Sequence, residues 1–166
     1  YNFLYILEIE KMKLIIILLL NFFIFNSFSY SKDITGFPTV LDADTIRIGK
    51  LRIRLEGIDA PELKQVCVKN NQRYFCEKLS KVKLQEKIGK KKVSCILTSK
   101  DKYSRYLGVC YVEKINLNKW LVRYGHAVAY RRYSKAYVKD EKFAKDNSLG
   151  LWSGSFIQPE KWRKKN

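Results

Sequence analysis

The order of apolar and polar residues divides the chain into one long apolar run near its start and a series of short alternating segments after it. Residues 14–28 read LIIILLLNFFIFNSF, directly behind Lys11-Met12-Lys13. A basic flank, an apolar stretch and the small residues Ser27 and Ser29 around Phe28 form the layout of a secretory signal with cleavage after Ser29. An uncleaved membrane anchor is the rival reading, but a span needs about twenty apolar residues and this run is shorter. Met12 is the only methionine, so residues 1–11 read as an upstream over-extension of the reading frame.

From Thr45 the pattern changes to strict alternation. Ile46, Ile48, Leu51, Ile53 and Leu55 share one face, and Arg47, Arg52, Arg54 and Glu56 take the other, with Gly49-Lys50 between. This predicts a hairpin of two half-buried strands whose turn places Gly49 at positive φ and holds Arg52 and Arg54 on the outer face. Asn70 to Gly89 carries spaced apolar residues among Lys and Glu and predicts a helix ending at Gly89. Lys90 to Lys92 is a solvated turn. Val93–Thr98 and Tyr106–Val112 are β-rich, Asn116–Tyr124 and Ala136–Asn147 read as short helices, and Ala127–Tyr130 as a brief strand between them. The sum is an α+β domain, a five-stranded Greek-key barrel of the OB type flanked by about three helices. Residues 30–154 form this domain, and residues 155–166 are a basic C-terminal tail.

Composition adds a partner and removes some chemistry. The 166 residues include 33 Lys+Arg against 16 Asp+Glu, a net charge of +17. Cutting after Ser29 removes two lysines and two glutamates, so the exported domain keeps that charge. Such a field attracts polyphosphate chains or anionic membranes. With His126 as the only histidine, a zinc site needing two imidazoles is excluded, and His126 itself reads as a packing or surface residue. Four cysteines in an exported domain favour disulfides, and the pairs expected are Cys67–Cys76 and Cys95–Cys110; no Cys-x-x-Cys pair supports the zinc alternative.

Acidic residues cluster at both ends of the hairpin: Asp42 and Asp44 before it, Asp59 and Glu62 after it. Antiparallel pairing carries Asp44 toward Asp59. Carboxylates gathered this way call for a neutralising ion, and oxygen ligands select a hard cation such as Ca²⁺ or Mg²⁺. The plainer alternative is that these acids cap turns or pair with nearby Lys and Arg. Arg54 on the hairpin and Arg105 in a second polar loop supply guanidinium forks suited to phosphate oxygens. A cation, a water-orienting carboxylate and two charge stabilisers are the parts needed to hydrolyse a phosphodiester.

Four segments in order carry a resemblance: Val40-Leu41-Asp42-Ala43-Asp44-Thr45, Ile53-Arg54-Leu55-Glu56-Gly57-Ile58-Asp59-Ala60-Pro61-Glu62, Asp101-Lys102-Tyr103-Ser104-Arg105-Tyr106-Leu107 and Gly150-Leu151-Trp152. Together they resemble the thermonuclease, or staphylococcal-nuclease-like, family over roughly residues 35 to 152. The resemblance implies an exported, calcium-dependent endonuclease cleaving DNA and RNA on an OB barrel. It also implies roles. Asp44, Asp59 and the carbonyl of Ala60 would bind Ca²⁺, with Asp42 standing behind them. Glu62 would direct the attacking water, and Arg54 and Arg105 would hold the scissile phosphate. Lys102 and Tyr103 would contact a terminal phosphate, and Tyr130 and Tyr133 would stack on bases. No stable protein partner is implied; the chain reads as a monomer, secreted or periplasmic, meeting membrane only through its signal.

Two departures matter. Ala43 and Ser104 stand where the family usually has glycine, and either would be strained if its φ is positive. Ala60 replaces a common Thr, which leaves a main-chain ligand intact. Two other classes stay open: a catalytically inactive OB-fold module that binds nucleic acid through Tyr130, Arg131, Arg132 and Tyr133, and a cation acting on anionic membranes through the Lys-rich segment 78–92.

Overall fold

The alternating segment folds into the expected hairpin, with Ile46 opposite Ile53 and Ile48 opposite Leu51. Gly49 sits at the turn with φ of +57°, a conformation open to glycine at no steric cost. The computed structural model describes residues 32–165, with Tyr5, Glu8 and residues 11–13, 15 and 16 before them. The chain divides into two units, Tyr1–Tyr30 and Ser31–Asn166. In the first, the described residues are helical; most of the expected signal, residues 1–29, lies outside the described residues. Among the described residues no helix is long and apolar enough to cross a membrane.

The second unit is α+β. Its elements are β1 Lys32–Gly36, β2 Pro38–Asp42, β3 Thr45–Ile48, β4 Leu51–Leu55, β5 Ile58–Asp59, β6 Val66–Lys69, β7 Gln72–Phe75, α1 Cys76–Ile88, β8 Val93–Lys100, β9 Tyr106–Val112, β10 Ile115–Asn116, α2 Leu117–Arg123, β11 Val128–Ala129, α3 Val138–Asp146 and α4 Pro159–Arg163, with a 3-10 turn at Gly150–Ser153. The main sheet runs β1-β8-β9-β4-β3-β2, with β10 added to β9. All its pairs are antiparallel except β4 with β9. This mixed, curled sheet is the OB-type barrel: β1 and β2, separated only by Phe37, pair with β8 and β3 at its two edges, so that β1–β2, β3, β4, β8 and β9 are the expected five strands with β10 a short addition, and α1, α2 and α3 are the three expected helices.

One boundary differs from the reading of Asn70–Gly89 as helix. Asn70 and Asn71 both take positive φ, at 50° and 62°, and so turn a hairpin in which β6 pairs with β7. Asparagine tolerates this conformation better than most residues, which is why the turn forms there. The helix starts at Cys76 and buries Cys76, Ser80, Leu84 and Ile88, one residue in four along a single stripe. Both expected disulfides form, and no cysteine is free. Cys95 and Cys110 are direct cross-strand partners.

The junction of β4 and β9 has no hairpin to impose its register, and a buried amide pins it. Asn118, fully buried on α2, accepts from the Cys110 N–H at 3.1 Å and donates to the carbonyls of Glu56 at 2.9 Å and Gly108 at 3.1 Å. Further on, Gly125 and Gly150 bring their backbones together so closely that a Cβ on Gly150 would lie 2.3 Å from the Gly125 oxygen. Only glycine fits that crossing, and it seats the Gly-Leu-Trp segment against the end of α2.

Asn118→Ala takes their partner from the Cys110 N–H and the Glu56 carbonyl, while the Gly108 carbonyl keeps the Glu56 N–H at 2.9 Å, and should cost about 2–3 kcal/mol in denaturant unfolding. His126 packs against Trp120, with ring centroids 5.2 Å apart. Burial, aided by the nearby Lys83 charge, pushes its pKa down from 6.5 to about 4. The unfolded chain therefore binds a proton that the folded chain refuses in this window, so this contribution is intact above pH 6.5 and is lost as the pH falls toward 4. The loss should reach about 3 kcal/mol, and His126→Phe should remove it from the pH–stability profile.

Candidate active site

The turn between β2 and β3 delivers the first acid. Asp44 is buried; its carboxylate accepts from the Ala60 N–H at 3.0 Å and from the Thr45 hydroxyl at 3.2 Å. Its carbonyl accepts from the Leu55 N–H at 2.8 Å. These bonds tie the start of the hairpin to the segment after it, and so bring Asp44 beside Asp59. Asp59 lies on β5, which pairs with β11, Val128 opposite Asp59. Behind β11, the buried carboxylate of Glu141 on α3 accepts from the Ala129 N–H at 3.1 Å and pairs with Arg131 and Lys145.

Arg54 links the two aspartates. Its guanidinium contacts Asp44 and lies 3.1 Å from Asp59. Its side chain is only 16% exposed, so it points into a pocket rather than standing on an outer face with Arg52. The difference comes from where the hairpin ends: Arg54 is opposite Thr45, at the end where both acids converge. Burial works against a bare guanidinium, and the charges of Asp44 and Asp59 outweigh that penalty and keep it protonated. Burial also pushes the Asp59 carboxyl above its usual range, with hydrogen bonds from Arg163 pulling the other way.

Glu62 joins the cluster through Arg163. One guanidinium nitrogen of Arg163 is 2.8 Å from Asp59 and also contacts Glu62; the other is 3.0 Å from the second Asp59 oxygen and 3.5 Å from the Tyr130 hydroxyl. The pocket thus gathers Asp44, Asp59, Glu62, Arg54, Arg163 and Tyr130. Asp42 is near enough to feel the charges of Asp44, Arg54 and Arg105, and burial raises its pKa, reinforced by Asp44. Its Oδ1 is buried with no hydrogen-bond partner.

Arg105 is held elsewhere. Asp101 accepts from its side-chain N–H at 2.8 Å, with a second guanidinium nitrogen at 2.7 Å, and from the backbone N–H groups of Tyr103 and Arg105 at 2.9 and 3.0 Å. Burial acts to raise the Asp101 pKa, but the Arg105 bonds outweigh it and hold the carboxyl below its usual range. Lys102 and Arg105 both lie over the ring of Tyr103, which is 65% exposed. Tyr133, 70% exposed, meets Tyr130 edge to face at 4.8 Å.

The expectation paired Arg54 with Arg105 over the acids; the second guanidinium in contact with them is Arg163. Asp101, Gln65 and Arg163 are the residues that sequence reasoning passed over. The four-residue spacing of Asp101 and Arg105 around Ser104 was a usable sign of the first. Nothing local in the sequence marks Arg163, whose partners Asp59 and Glu62 lie 104 and 101 residues away, or Gln65, whose side chain joins the nearby Glu62 N–H to the Ile157 carbonyl 92 residues on.

Of the two glycine replacements, Ser104 has φ of +60° and Ala43 is not among the positive-φ residues. Ser104 holds a left-handed turn and Ala43 a fully buried ordinary one. Ser104→Gly should therefore stabilise the fold by about 0.5–1 kcal/mol and Ala43→Gly destabilise it by about 1 kcal/mol, opposite signs readable in parallel thermal melts.

A family model described as Staphylococcal nuclease homologue matches residues 52–154. The chain is 32% identical over 164 residues to an Uncharacterized endonuclease of Haemophilus influenzae, covering 94% of this chain and 87% of that protein. It is 33% identical over 134 residues to the Succinoglycan biosynthesis protein ExoI of Rhizobium meliloti, covering 78% and 69%. It is also 33% identical over 143 residues to a Micrococcal nuclease of Shigella flexneri, covering 75% and 77%. With most of the domain matched, and with relatives sharing a third of their residues over most of its length, this chain belongs to the staphylococcal nuclease family.

Proposed function

We propose that this chain is an exported, calcium-dependent endonuclease that hydrolyses the phosphodiester bonds of DNA and RNA, acting as a monomer. The observation that carries the reading is the convergence of Asp44, Asp59 and Glu62 on one pocket lined with guanidinium groups. The pocket suits a hard cation: its acidic donors are all oxygens, and the buried Asp42 Oδ1 lacks a partner that an ion or its water would supply. Among the described residues no group of three such side chains is arranged to hold a metal by itself, and Arg54 and Arg163 engage the carboxylates here. Asp44, Asp59 and the Ala60 carbonyl are the residues that would hold Ca²⁺. Bound there, the ion would polarise a phosphoryl oxygen.

The chain's own groups supply the rest. Glu62 accepts the proton of a water lined up on the phosphorus, opposite the departing 5′ oxygen. Arg54, anchored by two carboxylates, offers charge to the phosphoryl oxygens as negative charge grows on them. Arg105, oriented by Asp101, brings a second guanidinium from the neighbouring loop. Tyr130 and Tyr133 offer stacking surfaces, and Lys102 with Tyr103 would contact a terminal phosphate. The net charge of +17 draws the polyanion in. Two disulfides and the absence of a free cysteine support an oxidising, extracytoplasmic compartment.

Plasmid nicking by the purified chain, with Ca²⁺, Mg²⁺ and EDTA in parallel, tests this reading. Nicking should require a divalent cation and stop in chelator. Glu62→Gln should lower turnover by about 10²–10³-fold and leave DNA binding near that of the parent. Binding without nicking in any cation would leave the catalytically inactive OB-fold module in its place.

A further inference from the structure

The segment after Gly154 does not trail away from the barrel. Ser155 and Val68 exchange reciprocal backbone hydrogen bonds of 2.9 Å, so a single antiparallel bridge fastens the strap to β6. β6 belongs to the hairpin that the Cys67–Cys76 disulfide staples to the start of α1. The fully buried Gln65 makes the next attachment, donating to the Ile157 carbonyl at 2.6 Å. Pro159 then opens α4, where a missing N–H costs nothing, and the helix carries Arg163 to the pocket.

At its other end, the same Gln65 amide fixes the loop that bears Glu62. Its Oε1 accepts from the Glu62 N–H at 2.9 Å, and the Gln65 backbone N–H donates to the Glu62 carbonyl at 2.9 Å. One buried side chain thus sets both the backbone of Glu62 and the strap that delivers Arg163. Arg163 closes the loop by forking onto both oxygens of Asp59 at 2.8 and 3.0 Å while touching the Glu62 carboxylate. A planar fork fixes direction as well as distance. A half-exposed glutamate on a loop has three rotatable bonds, and without such a partner it would sample many orientations.

We propose that Arg163 is a positioning residue of this site: it clamps Glu62 against Asp59 in the orientation from which Glu62 takes a proton from the attacking water. The proposal rests on the nuclease reading and on Glu62 as its base. It makes the C-terminal helix a working part of the site rather than a basic tail.

The test compares the full-length parent with Arg163→Gln and Arg163→Ala on one oligonucleotide at saturating Ca²⁺, with Ca²⁺ affinity measured separately by calorimetry. Both variants should lose about tenfold or more in kcat, with KM changed less than about threefold. In saturating Ca²⁺, which supplies positive charge beside Asp59 in the arginine's place, their thermal midpoints should stay close to the parent's, and Ca²⁺ should bind as tightly or more tightly, since a competing cation has left Asp59. Added guanidinium ion should restore part of the kcat of Arg163→Ala, and ammonium should not. Unchanged or higher kcat in Arg163→Gln would make the arginine a dispensable occupant of the cation's place and overturn the clamp. Loss that tracks weaker Ca²⁺ binding or a lower midpoint would make its role one of fold maintenance, and overturns it equally. A parent inert in every cation defeats the nuclease reading, and the clamp with it.

Discussion

Carboxylates brought together out of bulk water must bring positive charge with them, and this requirement shapes the whole functional end of the molecule. Asp44 and Asp59 are almost wholly buried, and Glu62 stands next to them. Left alone, their mutual repulsion and lost hydration would open the turn between β2 and β3. Arg54 meets the requirement from inside the hairpin and Arg163 from the far end of the chain. Each engages two of the acids, so the pocket is a small lattice of alternating charge rather than a set of separate ion pairs. A divalent ion would enter this lattice by taking over part of what the guanidinium groups now do.

The barrel makes such a lattice possible by holding its corners still. The β3–β4 hairpin fixes Arg54 relative to Asp44; β5, paired with β11 and backed by Glu141, fixes Asp59. The parallel contact of β4 with β9 sets where the β8–β9 loop, with Asp101 and Arg105, emerges. Asn118 holds that contact from below through backbone groups on both sides. Buried amides do the same work twice in this fold, at Asn118 and at Gln65, each where strand pairing alone does not dictate position.

Much of this was readable beforehand because it depends on near neighbours. A period of two places Ile46, Ile48, Ile53 and Leu55 inside, and a two-residue turn leaves little choice of register. Once that hairpin is granted, Asp44 must approach Asp59, because antiparallel strands put the start of one beside the end of the other. The pairing of Cys95 with Cys110 follows the same logic across β8 and β9. The hairpin at Asn70-Asn71 was missed because its strands alternate weakly and its sequence also suits a helical period; the decision came from two asparagines that accept a left-handed backbone.

What the amino-acid order determined by itself, then, was the set of local pairings and the charged groups available to them. It could not determine which distant charge would complete the pocket. Arg105 has its partner Asp101 four residues away, whereas nothing within a few residues of Arg163 marks it as a partner of Asp59 and Glu62. Arg163 reaches the acids because the strap after Gly154 pairs with β6 and is caught by Gln65, 92 residues earlier in the chain than Ile157. Contacts of that span are set by the packing of the whole domain, and only the folded chain brings their ends together.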